Sequence, residues 1–283
     1  MTSKASNSPA SCSHTSSGRP SLEDMTFLQG EADKTIKVQG EVLGMGVTGL
    51  VERLKSGDVI KSPWIGVPNA ATCRNDMAIE ARVYERLGSH PRLVQVKNWD
   101  SANHILTLEY MPNGSLKEYI EKHRQEILRS QREQWVKEAA EAVDLLHSHH
   151  VIQSDVGPHN FLLDGDLGLK ICDFGGASVD GSRPEVLPGA RYRLPGLFTK
   201  DPKEKALKGD LFGLGSTIFF IATGHEPYEE LTDDDQIEKL YQDGRFPVLS
   251  EVLFAEIIAL CWKQEAESAK MVLERVMHSL STP

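Results

Sequence analysis

The stretch over residues 151–164 constrains this chain most. Two apolar clusters, Val151-Ile152 and Phe161-Leu162-Leu163, are each short enough for a buried strand, and the polar loop between them carries Asp155 and Asn160. A third apolar run, Leu169 to Cys172, ends directly in Asp173-Phe174-Gly175. This pattern predicts a carboxylate, an amide and a second carboxylate at the ends of neighbouring strands, facing one mouth. Oxygen ligands so placed suit Mg²⁺ bridging the phosphates of a nucleotide. Taken singly, the same fragments are ordinary turn residues and a hairpin end, so the remainder of the chain has to decide.

A chain of 283 residues has room for one large domain or for two lobes around one cleft. Its net charge of −10 argues against non-specific nucleic-acid binding and against docking on an anionic membrane. Cys12, Cys73, Cys172 and Cys261 show neither zinc-site nor disulfide-framework spacing. Together with the lack of an apolar N-terminal signal, this points to the cytoplasm or nucleus. The most apolar stretch, 211–223, is too short to cross a bilayer and reads as a buried core helix.

Residues 1–25 are rich in Ser, Thr and Pro and bury too little to offset ordering entropy, so they read as a disordered tail, with one folded unit over 26–281. Strands are expected at 36–43, 50–54 and 59–61. A helix follows over 75–87, stopped by His90-Pro91, and then strands at 93–96 and 104–108. After Gly114 the character turns helical. A short helix over 115–123 has Ser115 as N-cap with Glu118 three residues on, and a long amphipathic one covers 126–149. Further helices are expected at 210–223, 234–242, 253–262 and 268–280. The fold class is α+β and bilobal: a β-rich lobe over about 35–110 with one key helix, and a larger helical lobe over about 115–281.

Gly44, Gly46 and Gly49 form G-x-G-x-x-G, letters shared with dinucleotide-binding folds. Those folds place a helix directly after the glycines, whereas here a strand and the turn Ser56-Gly57-Asp58 follow. The reading is therefore a flexible hairpin that covers a triphosphate with backbone N–H groups. Lys61 ends the strand Val59-Ile60-Lys61, and Glu80 sits on the helix beyond it. Each alone is an ordinary charge; paired, they would aim an ammonium at the α- and β-phosphates.

With these parts in order, and with Glu109-Tyr110-Met111 and Asp210 also in place, the chain resembles the eukaryotic protein kinase family over roughly 36–281. The resemblance implies ATP and Mg²⁺ as cofactors and a protein substrate. It implies that Asp155 handles the acceptor proton, that Asn160 and Asp173 hold the metal, and that Lys61, fixed by Glu80, positions the phosphates. It implies that the backbone of Glu109 and Met111 bonds the adenine edge, and that Leu43, Val51, Val59, Leu108 and Leu162 cover its faces. Asp210 would brace the loop around Asp155 from the start of the buried helix.

The chain also departs from the family pattern. Gln153-Ser154 stands where the family has His-Arg, so a phosphate on the segment after Asp173 finds no arginine beside Asp155 and is not expected to be the on-switch. Gly157 replaces a lysine beside the γ-phosphate; His159, as an imidazolium, would supply the missing charge. Leu194-Pro195-Gly196 stands for Ala-Pro-Glu, and the arginine that pairs with that glutamate is absent between Trp262 and Ser268. Three readings stay open: a Ser/Thr protein kinase of modest activity, a nucleotide-binding pseudokinase that acts as an interaction module, and a small-molecule phosphotransferase.

Overall fold

Five short strands build the first wall of the molecule, with β2 and β3 the most buried of its first three. The computed structural model describes residues 38–182, 186–196 and 202–281, so the expected tail over 1–25 lies outside the described residues. Strands β1 (Glu41–Met45), β2 (Gly49–Arg53), β3 (Val59–Pro63), β4 (Val96–Asp100) and β5 (Ile105–Leu108) form one antiparallel sheet in the order β1-β2-β3-β5-β4. Gly44 pairs with Val51, Val51 with Lys61, and Val59 with Leu108, so five of the expected nucleotide-facing positions lie in three adjoining ladders of one sheet. The glycine turn is shorter than the sequence suggests, because β1 runs on through Gly44.

Helix α1 (Ala70–Leu87) crosses behind this sheet. Its buried stripe is Cys73, Met77, Glu80, Tyr84 and Leu87, the three-and-four spacing of one helix face. The helix starts five residues before the expected 75, and its stop is Gly88 at φ 66 rather than His90-Pro91. The strand expected at 93–96 is displaced as well. Leu93 and Val94 cross between the lobes, where Val94 N–H donates to Ile171 and Ile171 N–H to Arg92. Strand β4 begins only at Val96, on a largely exposed edge.

The second lobe is helical: α2 (Leu116–His123), α3 (Arg129–Ser148), α4 (Pro202–Thr223), α5 (Asp234–Gln242), α6 (Ala255–Trp262) and α7 (Ala269–Ser281). Ser115 and Glu118 form the expected capping box on α2. Helix α3 packs on α4 and α7, and α4 on α6, around fully buried Trp135, Phe212, Phe220 and Trp262. The 22 residues of α4 make it long enough to span a bilayer, so the length argument made from 211–223 fails. Burial decides instead: 72% of its apolar window is inside the protein, as expected of a core helix.

Two small two-stranded sheets pack on the helical lobe: β6 (Val151–Ile152) with β9 (Ser178–Val179), and the hairpin of β7 (Phe161–Leu163) with β8 (Leu169–Ile171). Arg92 fastens the crossing segment to the helical lobe through Glu138 at 2.5 Å and the Leu169 carbonyl at 3.1 Å. Glu138, only 3% exposed, also accepts the Leu169 N–H. A buried carboxylate with this many donors is satisfied rather than stranded.

Candidate active site

Glu80 breaks the apolar stripe of α1, and a carboxylate 1% exposed needs a partner. Lys61 supplies it from β3, its Nζ 2.6 Å from Glu80 and 2.7 Å from Asp173. Burial works against the lysine's charge, but the Asp173 and Glu80 carboxylates outweigh it and hold the ammonium above its ordinary value. The same ammonium holds Asp173 below the usual carboxylate range, while burial pushes Glu80 up against the pull of Lys61. The side chain of Asp173 is 51% exposed, so it faces an open cleft while its partner is enclosed.

The loop after β8 is held tightly. Asp173 adopts φ 62, a left-handed conformation uncommon for a non-glycine residue, and Phe174 is buried edge-on against Tyr84 at 5.0 Å. Gln153 fixes this geometry: its Nε2 donates to the carbonyls of Cys172 at 3.1 Å and Asp173 at 2.8 Å. Sequence reading registered Gln153 only as a missing histidine. Its side chain is 1% exposed, and its bonds run to carbonyls that leave no mark in the sequence.

Asp210 braces the loop around Asp155. Its Oδ2 accepts the N–H of Gln153 and its Oδ1 that of Ser154, each at 2.8 Å, and Oδ2 also meets His147 Nε2 at 3.0 Å. Because α4 begins at Pro202, Asp210 lies in its third turn, not at its start as expected. Asn160 closes the loop, with its Nδ2 2.9 Å from the Asp155 carbonyl and 3.1 Å from the Asp155 side chain. This leaves the Asn160 Oδ1 and the second Asp173 oxygen to face a metal. No cluster of three or more His, Cys, Asp or Glu with metal-site geometry occurs among the described residues. Two protein oxygens fit Mg²⁺, which usually shares its shell with substrate phosphates and water.

Where a lysine is absent, a ring has moved in. A Cβ on Gly157 would fall 2.6 Å from His159 Cε1, so only glycine leaves room for this imidazole. The ring sets its Nε2 3.1 Å from Asp155 Oδ2. His159 therefore stands beside the carboxylate that is expected to accept the acceptor's proton.

At the back of the cleft, Glu109 N–H is committed to the Gln95 carbonyl, and the Met111 carbonyl accepts from Gly114. The Glu109 carbonyl and the Met111 N–H have no backbone partner among the described residues, an acceptor and a donor two residues apart that match an adenine edge. The Glu109 side chain, not considered from sequence, ties this strand end to Lys170 at 2.7 Å. Val59 and Leu108 are buried, whereas Leu43, Val51 and Leu162 are half-buried and keep a face free.

The altered segment end has its own anchors. Arg191 donates to the Leu231 carbonyl at 2.5 Å, Arg193 pairs with Glu238 at 2.8 Å, and Tyr192 bonds Glu226 at 3.2 Å. The loop between α6 and α7, where the family arginine is missing, is held by Lys208 through the carbonyls of Gln264 and Ala266 at 2.8 and 2.6 Å. The two expected partners are absent together, and these contacts hold the two segments in place.

The protein kinase domain family matches residues 38–280 of this chain. Among curated relatives, the receptor-interacting serine/threonine-protein kinase 1 of Homo sapiens is 24% identical over 80% of this chain and 37% of its own length. The receptor-like protein kinase HSL1 of Arabidopsis thaliana is 32% identical over 76% of this chain and 23% of its own. The discoidin domain-containing receptor tyrosine kinase B of Caenorhabditis elegans is 28% identical over 68% of this chain and 27% of its own. The chain thus spans well under half the length of these relatives, two of them serine/threonine or receptor-like kinases and one a tyrosine kinase. With a nearly full-length domain match on a bilobal fold whose strand lysine and helix glutamate are paired, the chain belongs to the protein kinase family.

Proposed function

We propose that this chain is an ATP- and Mg²⁺-dependent protein kinase that transfers the γ-phosphate to a serine or threonine hydroxyl of a protein, with modest activity. The observation that carries this reading is the single lysine shared by Glu80 and Asp173, a closed arrangement that points one ammonium into the cleft. Lys61 then holds the α- and β-phosphates. Asp155, oriented by Asn160 and His159, takes the hydroxyl proton as its oxygen attacks the γ-phosphorus and ADP leaves. Asn160 and Asp173 would hold Mg²⁺, which would supply neutralising charge at the phosphate oxygens. The free thiols of Cys73, Cys172 and Cys261 suit work in the cytoplasm or nucleus.

The runner-up, a nucleotide-binding pseudokinase, draws on the crowding of Asp155 Oδ2 by both His159 and Asn160 and on Gly157 in the lysine position. One assay separates the two. Transfer of label from γ-labelled ATP to the chain itself or to a generic protein acceptor is expected for wild type. The rate should fall by about 10²–10⁴ in Asp155→Asn, the range for loss of a positioned acid or base. ATP binding without any transfer at high enzyme concentration would favour the pseudokinase.

A further inference from the structure

The glycine hairpin is expected from sequence to be flexible, yet three successive carbonyls at its tip are gripped from one side. The Trp64 indole N–H donates to Gly46 O at 2.9 Å, and the Trp64 backbone N–H to Thr48 O at 3.2 Å. Between them, the Cys73 thiol donates to Val47 O at 3.8 Å. Trp64 directly follows β3, and Cys73 lies in the first turn of α1, so two donors come from the start of the connection after β3 and the third from the helix that ends it. The turn itself is closed by Gly46 N–H to Gly49 O at 2.9 Å.

In a planar trans peptide, the carbonyl of one residue and the N–H of the next point in opposite directions. Holding the carbonyls of 46, 47 and 48 on one side therefore turns the N–H groups of Val47, Thr48 and Gly49 to the other. Successive N–H groups on one side of a turn make an anion-binding concavity. The tip also lies over the metal-loop glycine: Thr48 Cγ2 is 3.7 Å from where a Cβ of Gly175 would stand. Around Gly44 a Cβ would meet nothing within 4 Å, and around Gly46 only one carbonyl at 4.0 Å, so the backbone there is open to close approach.

We propose that Trp64 and Cys73 are positioning residues that hold the hairpin's N–H groups toward a polyphosphate, so that this chain discriminates a nucleoside triphosphate from its nucleoside. The proposal rests on the nucleotide-binding half of the kinase reading and extends it to two side chains outside the cleft. Neither touches nucleotide; they act by orienting the peptide units that do.

The test is calorimetric titration of the whole chain with ATP plus Mg²⁺ and, separately, with adenosine. Trp64→Phe keeps a ring and removes one donor. It is expected to weaken ATP about three- to tenfold, the effect of one hydrogen bond, and to leave adenosine unchanged. Adding Cys73→Ala is expected to enlarge the ATP loss alone. Equal weakening of ATP and adenosine, or no change in either, overturns the proposal. Wild type that binds adenosine but not ATP overturns it together with the kinase reading, so the two failures are distinct. Circular dichroism checks folding; should Trp64→Phe unfold, Cys73→Ala alone carries the same ATP-to-adenosine comparison.

Discussion

The two walls of the cleft differ in how they satisfy their charges. On the β-sheet side, Lys61 is enclosed between two carboxylates, each within 2.7 Å, and every family position is kept. On the helical side, the loop over 153–160 has lost three of the family's charged or aromatic groups and fills the space with Gln153, Ser154 and the Gly157–His159 pair. The sheet side is bound by strict electrostatics, because a buried ion cannot lose its partner cheaply. On the helical side, His159 stands at the rim of the cleft, 44% exposed, where a substitution costs less.

That contrast can be broken most forcefully at Lys61. Lys61→Met leaves Glu80 buried without a cation, and stability should fall by about 3–5 kcal/mol, read by urea unfolding. The double variant Lys61→Met with Glu80→Leu should recover most of that loss. Equal stability of the single variant and wild type would show that the pair is not truly enclosed. On the opposite wall, Gly157→Lys must push the His159 ring off Asp155. If a missing charge limits transfer, kcat rises by up to about 10² with ATP affinity little changed. A flat kcat would place the limit elsewhere.

Gln153→Ala strips the donor from two carbonyls of the metal loop, an expected cost of about 1–3 kcal/mol, together with weaker Mg²⁺-dependent nucleotide binding. Gln153→His, which restores a ring donor, should return most of it; a histidine variant no better than alanine would mean that volume rather than donation matters. The smallest effect belongs to Arg86 and Asp180, a two-point pair at 2.6 and 2.7 Å on the surface between α1 and the strand β9. Its hydrogen bonds to Arg86 hold the Asp180 carboxyl below its ordinary value. The pair's contribution is therefore present above the unfolded carboxyl range near ~4 and lost as pH falls through the lower folded value. Asp180→Asn should lower Tm by no more than about 2 °C at pH 7, and the gap should close in acid. A gap that persists at pH 2 would assign it to packing.

Much of this was legible from residue order, for reasons that can be named. Lys61 and Glu80 were found because a strand lysine and a helix glutamate follow the glycine turn in the order that makes them a pair, and α5 matches its expected bounds, with Asp233 as its cap. Helix α4 was cut short because Gly209 and a charged first stretch hid its start, although Pro202 at its first position is a start signal. The start of α1 was missed because Asn69 makes no side-chain cap and the first turn shows no apolar period. Leu93 and Val94 imitate a strand, but their burial comes from bonding to β8 across the lobes. The Trp64 grip and the Gln153 bonds were invisible, since both join a side chain to distant carbonyls, which carry no letter in the sequence.

Asp210 lies in the most enclosed part of the helical lobe, with 1% exposure, and its carboxylate takes both amides that precede Asp155. The shape of that loop is therefore inherited from the lobe's own folding and does not wait for a later modification. A movement of α1 or of the glycine hairpin would then reshape the cleft while leaving the Asp155 loop where Asp210 fixes it.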